Sequence, residues 1–168
     1  GEKTDNHLLD EVTEAAADIQ MDWLRQSVAT MQQEFDYSLL NEDGKLSFDM
    51  WTYSLEQAES AIPFRRHGYF FGRGGPQTFV PSFLISFHTV DNEADLQAYI
   101  SRLQQIDRVL TDYLERAQLS ASEGVRPPRF SYDFALTEIE RVTSGVPFSN
   151  SDDTPNSPVW VDFQTKAE

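Results

Sequence analysis

A chain of 168 residues is one ordinary domain in length, long enough to bury roughly 70% of the surface that it would expose unfolded. It contains no cysteine, which excludes disulfides, thiolate metal ligands and a thiol nucleophile. Its net charge of -15 would repel nucleic acid and anionic membrane surfaces, and no apolar run approaches the roughly 18 residues of a membrane span, so we expect neither kind of partner nor a span.

The N-terminal quarter of the chain has a helical pattern. Between residues 5 and 40, apolar residues recur at spacings of three and four, which is typical of one face of a helix. The phase of this pattern slips near Gln20. One bent helix or two helices with a short break would fit, and the slip favours two.

A further helix is predicted after a turn. Asp43 and Gly44 form a turn dipeptide, and Ser47 then has the character of a helix N-cap. The helix that follows would run to about Ala61. Pro63 stops its continuation because proline cannot extend a helix.

Residues 65–83, RRHGYFFGRGGPQTFVPSF, are basic, glycine-rich and aromatic within an otherwise acidic chain. The sequence GRGGP resembles a phosphate-binding loop only superficially, because the required Lys and Ser/Thr are missing and Pro76 removes one backbone amide. We therefore predict an irregular connection between helices, with the glycines in a turn.

The cationic side chains of this connection are the candidate substrate-binding residues: Arg65, Arg66, His67 and Arg73. Guanidinium groups pair with carboxylates at two points, so the arginines would grip an acidic ligand. In so acidic a chain they would equally pair with the protein's own Asp and Glu. The sequence leaves both alternatives open.

Two helices are predicted in the second half. Asn92 and Asp95 have the spacing of a capping box, and apolar residues follow at spacings of three and four over residues 92–118. A second helix is predicted over residues 131–144, and Gly145 is placed to end it.

These elements predict an all-α fold of about five helices, joined by an irregular Gly/Pro/aromatic connection and forming part of a larger, mainly helical fold. Residues 1–145 would be a helical N-terminal region. Residues 146–168 would be a polar linker and the truncated start of the following region. The last ten residues hold an apolar cluster with a partial period of two, which we expect to pack against something: Val159, Trp160, Val161 and Phe163.

No catalytic or metal-binding residue is predicted within the chain. The three histidines, His7, His67 and His88, are scattered, and neither HExxH nor GxSxG occurs.

The order of two motifs is the most specific signal in the sequence. The first has the form D-x-x-x-Y-x-x-RL, and the second is a glycine followed by a Pro-Pro-Arg-Phe helix entry. Their residues are Asp95, Tyr99, Arg102 and Leu103, then Gly124, Pro127, Pro128, Arg129 and Phe130. Over roughly residues 40–148 the chain resembles the N-terminal part of the bacterial domain-of-unknown-function 885 family.

This resemblance implies a function outside the chain itself. Members of the family are several times longer, are often exported lipoproteins, and carry a helical HExxH motif of zinc-metallopeptidase type further along. The chain would then be the scaffold and a substrate-cleft segment of a peptidase-like hydrolase of the cell envelope, periplasmic or lipid-anchored. It would be inactive alone and would hold no cofactor, while its longer parent would bind zinc.

The partners implied are the remainder of the parent chain and a peptide substrate, and a homodimer would cover exposed apolar faces. Residues 65–83 would form one lip of the cleft. The alternative is an acidic helical module of the cell envelope that binds a protein or peptide through the aromatic connection, without catalysis.

Overall fold

The computed structural model describes residues 3–149 and 154–168, and within them it is all-helical, which confirms the predicted fold class. The described residues form six α-helices: α1 Glu14–Glu34, α2 Glu42–Ala61, α3 Pro76–Phe87, α4 Glu93–Ser122, α5 Arg129–Thr143 and α6 Pro158–Ala167. Two short 3₁₀ helices, Tyr37–Leu39 and Ile62–Phe64, follow α1 and α2. None of the described helices combines the length and the apolar character needed to cross a membrane.

The chain divides into two compact units. The helical hairpin unit is Val12–Gly68, and the larger unit consists of Gly1–Glu11 and Tyr69–Glu168. The predicted division at residue 145 remains a prediction. Residues 150–153 of the predicted linker lie outside the described residues.

In the helical hairpin unit, α1 packs against α2. The Trp51 indole donates to Ser27 Oγ at 3.1 Å, and its ring meets Trp23 edge-on. The predicted break near Gln20 is wrong, because α1 runs through it as one helix. Thr13 caps that helix by accepting a hydrogen bond from the amide of Ala16, so Leu8 and Val12 precede the helix. Ile19 lies within α1 but is 67% exposed, so the apolar pattern before Gln20 does not mark the packed face of α1.

The predicted start of α2 is also wrong. The helix begins at Glu42, and Asn41 Oδ1 caps it by accepting from the amide of Gly44 at 2.8 Å. Acidic Glu42 and Asp43 occupy the positive end of the helix dipole, which favours helix there despite the low propensity of Gly44. The predicted turn is therefore the first turn of α2.

The larger unit contains a helix, α3, that begins within residues 65–83, where an irregular connection was predicted. Helix α3 begins at Pro76, a first helical position at which the missing N–H costs nothing, and it continues through Pro81. Val80 and Leu84 are buried, and α3 contacts α4, α5 and α6. Its burial among three helices outweighs the local helix-breaking signals, so only residues 65–75 form the irregular connection.

Helix α4 has the predicted cap. Asn92 Oδ1 accepts from the amide of Asp95 at 3.1 Å, and the Asn92 amide donates to Asp95 Oδ2 at 3.0 Å. Helix α5 lies close to its predicted bounds and is followed by Gly145 at a φ of 67°. A side chain at Gly145 would also collide with the backbone of Pro155 and Asn156.

The apolar cluster near the end of the chain lies on helix α6, which packs against α3 and α5. Lys166 Nζ donates to the carbonyls of Leu84 and Ile85, at 2.9 and 3.1 Å, and so caps the C-terminus of α3. It also contacts Asp162 Oδ2 at 2.7 Å, and the Tyr99 hydroxyl donates to the same oxygen at 2.8 Å. A polar network thus fixes α6 to α3 and α4.

Candidate functional site

The structure divides the predicted substrate-binding residues between the two units. Arg65 and Arg66 lie in the helical hairpin unit, and both contact acidic residues of α1. Arg66 makes a two-point pair with Glu14, in which Nε and Nη2 each lie 2.7 Å from a carboxylate oxygen, and Arg65 Nη1 donates to Asp18 at 2.8 Å. For these two arginines the structure shows pairing with the protein's own carboxylates. Their assignment to substrate binding remains a prediction.

His67 belongs to the same unit and contacts its own helix end. Its backbone amide donates to the carbonyl of Phe64 at 2.8 Å, and the two rings meet edge-on with centroids 5.6 Å apart. The structure therefore groups His67 with Arg65 and Arg66, whereas Arg73 belongs to the larger unit.

Arg73 lies beside a pocket of about 480 Å³, the aromatic pocket. Its lining residues are Tyr69, Phe70, Phe71, Gly72, Arg73, Gly74, Gly75, Pro76, Phe79, Tyr113 and Ser131. The Arg73 guanidinium lies 4.7 Å from the centroid of the Phe134 ring, and that of Arg116 lies 4.7 Å from the centroid of Phe70. Arg73 thus lines the pocket together with aromatic rings, a combination suited to aromatic or carboxylate groups.

The glycines of the aromatic pocket form a tight turn. The amide of Gly75 and the side-chain amide of Gln77 both donate to the carbonyl of Gly72, at 3.1 and 2.6 Å. A Cβ at Gly75 would lie 2.7 Å from the carbonyl oxygen of Phe70, and Gly74 has a φ of 79°. These donors serve the turn itself, as expected for a glycine-bearing connection.

His88 is buried beneath α4 and has both ring nitrogens engaged. Its Nε2 lies 3.0 Å from the Asp95 carbonyl, and Arg102 Nη1 donates to its Nδ1 at 2.8 Å. Burial lowers the pKa of His88, and the nearby Arg102 lowers it further, although the Asp95 carbonyl opposes this shift. The partners assign a neutral ring that donates from Nε2. Across residues 3–149 and 154–168, no three His, Asp or Glu side chains are grouped so that they would hold a metal ion.

The whole chain, residues 1–168, matches the family described as bacterial protein of unknown function (DUF885). The chain belongs to the DUF885 family. This confirms the resemblance and extends it beyond residues 40–148. No curated protein and no solved structure matches the chain.

The first motif of this DUF885 chain holds the larger unit together. Asp95, Tyr99 and Arg102 follow at spacings of four and three, which place them on one face of α4. Asp95 pairs with Lys3 at 2.7 Å, which lowers the pKa of its carboxyl, and the Asp91 amide lowers it further. Arg102 Nε donates to the carbonyl of Leu8 at 2.9 Å.

Tyr99 is the buried centre of this face in the DUF885 chain. Its hydroxyl donates to Asp162 of α6, and burial, followed by this hydrogen bond, raises its pKa. Sequence reasoning missed these roles. The spacing showed that the motif residues share a face, but their partners in the N-terminal segment and in α6 are distant in sequence.

Proposed function

We propose that this DUF885 chain is the N-terminal scaffold of a larger zinc-dependent, peptidase-like hydrolase of the cell envelope, exported and periplasmic or lipid-anchored. It contributes a segment to the substrate cleft and performs no chemistry alone. The zinc site and the water-activating glutamate belong to an HExxH motif elsewhere in the parent, because this sequence has none. The zinc, the export and the anchor rest on what the family resemblance implies.

The observation that carries the scaffold proposal is the exposed apolar surface of α5. Ala135 is its one buried residue, whereas five large apolar side chains are exposed: Phe130, Tyr132, Phe134, Leu136 and Ile139. At about 3.6 residues per turn, the apolar side chains of α5 spread over more than half of its circumference. A helix that is apolar on several sides is normally enclosed by other elements. Further helices of a parent protein would enclose it.

The scaffold proposal is tested by the mass of the natural product in its source cells, with an antibody raised against this chain. A band several times larger than 19.2 kDa is expected. A band at 19.2 kDa would contradict the proposal. In addition, the purified chain should bind a hydrophobic dye, and Leu136→Gln should weaken that binding, whereas Thr137→Gln on the polar side of α5 should not.

The cleft proposal is tested in the intact enzyme. Replacing Arg65, Arg66 and Arg73 with alanine together should raise KM for a peptide substrate. Because Arg66 also holds Glu14, Arg73→Ala alone is the cleaner variant. Arg141→Ala, which removes a surface arginine of α5, is the matched control. Unaltered KM and kcat in the triple variant would refute this part of the proposal.

A binding module without catalysis is the second candidate, and the aromatic pocket favours it. This pocket is built within the larger unit alone, from aromatic rings beside Arg73. The purified chain would then bind peptides that carry an aromatic residue next to a carboxylate. Calorimetric titration should show this binding, and Arg73→Ala should weaken it while Arg141→Ala leaves it intact. An absence of saturable binding would exclude this module.

A further inference from the structure

A short N-terminal segment of the larger unit, residues 3–11, lies against α4, and we call it the N-terminal strap. Gln105 of α4 holds the backbone of the strap at two points. Its Nε2 donates to the carbonyl of His7 at 2.8 Å, and its Oε1 accepts from the amide of Leu9 at 3.0 Å. Leu8 remains 47% exposed, so burial of this apolar side chain adds little. Polar contacts therefore account for much of the attachment.

Arg102 of α4 connects the N-terminal strap to the buried side chain of His88. Its Nε donates to the carbonyl of Leu8 at 2.9 Å, and its Nη1 lies 3.1 Å from Asn6 Oδ1 and 2.8 Å from His88 Nδ1. A guanidinium group has donors only, so His88 Nδ1 must be an acceptor. The ring proton of His88 is therefore on Nε2, which donates to the Asp95 carbonyl at 3.0 Å. The whole arrangement requires a neutral imidazole.

Protonation of His88 is incompatible with this arrangement. A proton on Nδ1 would make that nitrogen a donor, facing the donor Nη1 of Arg102 at 2.8 Å, and would place two positive charges side by side. Arg102 would have to move away, and its hydrogen bonds to Asn6 and Leu8 would be lost. The N-terminal strap would thus lose two of the contacts that hold it to α4.

The groups around His88 do not offset the added charge. The titratable ones come from three parts of the larger unit: Asp95, Tyr99 and Arg102 of α4, Lys166 of α6, and Lys3 of the N-terminal strap. The carboxylate of Asp95 is already paired with Lys3 at 2.7 Å. Burial lowers the pKa of His88, the Asp95 carbonyl opposes this shift, and the charges of Arg102 and Lys166 lower the pKa further.

We propose that the N-terminal strap is an acid-sensitive device, in which protonation of His88 displaces Arg102 and opens the strap from α4. The sign follows from linkage. In the closed state the pKa of His88 lies below the ordinary value of about 6.5, and opening removes the conflict with Arg102. The population of the open state should therefore rise as the pH falls below about 6.5, by up to about tenfold per pH unit. The proposal does not depend on the scaffold function.

Hydrogen exchange of the purified chain, followed by NMR from pH 8 to 5, measures this opening. The amide of Leu9, which is bonded to Gln105, reports on the N-terminal strap, and the amide of buried Val109 in α4 reports on unfolding of the larger unit. After correction for the intrinsic exchange rate at each pH, the opening constant at Leu9 should rise as the pH falls. It should also exceed the opening constant at Val109 throughout. A constant at Leu9 that ignores pH, or that equals the constant at Val109, would overturn the proposal.

Two histidine variants assign the pH dependence. His88→Gln retains a donor and an acceptor but does not titrate, so the opening constant at Leu9 should become independent of pH. His7→Gln removes the exposed histidine of the N-terminal strap itself and should leave the wild-type pH dependence. The opposite result in either variant would contradict the role of His88.

Two arginine variants test the link through Arg102 and hold even if His88→Gln fails to fold. Arg102 contacts both His88 and the N-terminal strap, whereas Arg108 contacts the strap alone of these two, through the Leu9 carbonyl at 2.7 Å. Both Arg102→Gln and Arg108→Gln should raise the opening constant at Leu9 at pH 8. Only Arg102→Gln should also remove its pH dependence. Far-UV circular dichroism checks that the variants fold, and a wild-type pH dependence in Arg102→Gln would refute the link.

Discussion

The contact between Lys166 and the C-terminus of α3 makes the clearest stability prediction. The ammonium group pairs with Asp162 and also donates to the carbonyls of Leu84 and Ile85. In Lys166→Met the aliphatic stem remains, but among the described residues Asp162 keeps the Tyr99 hydroxyl as its one side-chain partner. A charge that was paired in a largely buried place becomes unpaired.

The size of the stability loss in Lys166→Met depends on how deeply Lys166 and Asp162 are buried. Removing one partner of a buried ion pair costs about 3–5 kcal/mol, because the other charge is left uncompensated. The side chains of Lys166 and Asp162 are 16% and 13% exposed, so water would replace part of the lost interaction. We expect Lys166→Met to lower the free energy of unfolding by about 2–3 kcal/mol.

Urea unfolding followed by far-UV circular dichroism measures this loss. Gln164→Met, at an exposed position of α6, is the matched control and should change stability by less than about 0.5 kcal/mol. Adding Asp162→Asn to Lys166→Met removes the unpaired charge, so the double variant should lose at least about 1 kcal/mol less than the sum of the two single variants. Strict additivity, or a Lys166→Met variant as stable as the control, would refute the argument.

Three further changes have defined outcomes. Gly75→Ala should destabilise the chain by about 1–3 kcal/mol in thermal unfolding, because the new Cβ would meet the Phe70 carbonyl. Gly68→Ala, whose Cβ meets nothing, should not destabilise it, and equal effects of the two variants would contradict this reasoning. Burial lowers the pKa of folded His88 below the unfolded value of 6.5. The contribution of His88 to the free energy of unfolding is therefore complete above pH 6.5 and is lost as pH falls, by at most about 1.4 kcal/mol per pH unit. Urea unfolding from pH 8 to 5 should show this slope, and His88→Gln should remove it; an unchanged slope in that variant would exclude His88 as its cause. Asn92→Ala should cost about 1 kcal/mol through loss of the α4 cap, and hydrogen exchange at the Asp95 amide should rise; unchanged protection there would contradict the role of the cap.

The sequence predicted α4 and α5 well because their signals are local. The cap at Asn92 and the spacing of three and four along α4 lie within one continuous segment. The prediction for the α3 segment was wrong because the signals that decide its structure are not local. Gly75, Pro76 and Pro81 are local signals against helix, and only burial between other helices outweighs them.

The candidate site shows the same division. The aromatic connection was recognised from composition, but the pairing of Arg65 and Arg66 with α1 depends on residues about fifty positions earlier. The aromatic pocket likewise takes Tyr113 from α4 and Ser131 from α5. Composition indicates which chemical groups are available, whereas chain packing decides which of them meet.

By itself, the sequence determined the all-α class, the two helices of the second half and the family, because spacing and motif order are properties of neighbouring residues. The tertiary structure alone decided what the motif residues do. Asp95 meets Lys3 and Tyr99 meets Asp162 across 92 and 63 positions of the chain. Contacts at such separations depend on how the helices pack together, and no local pattern records them.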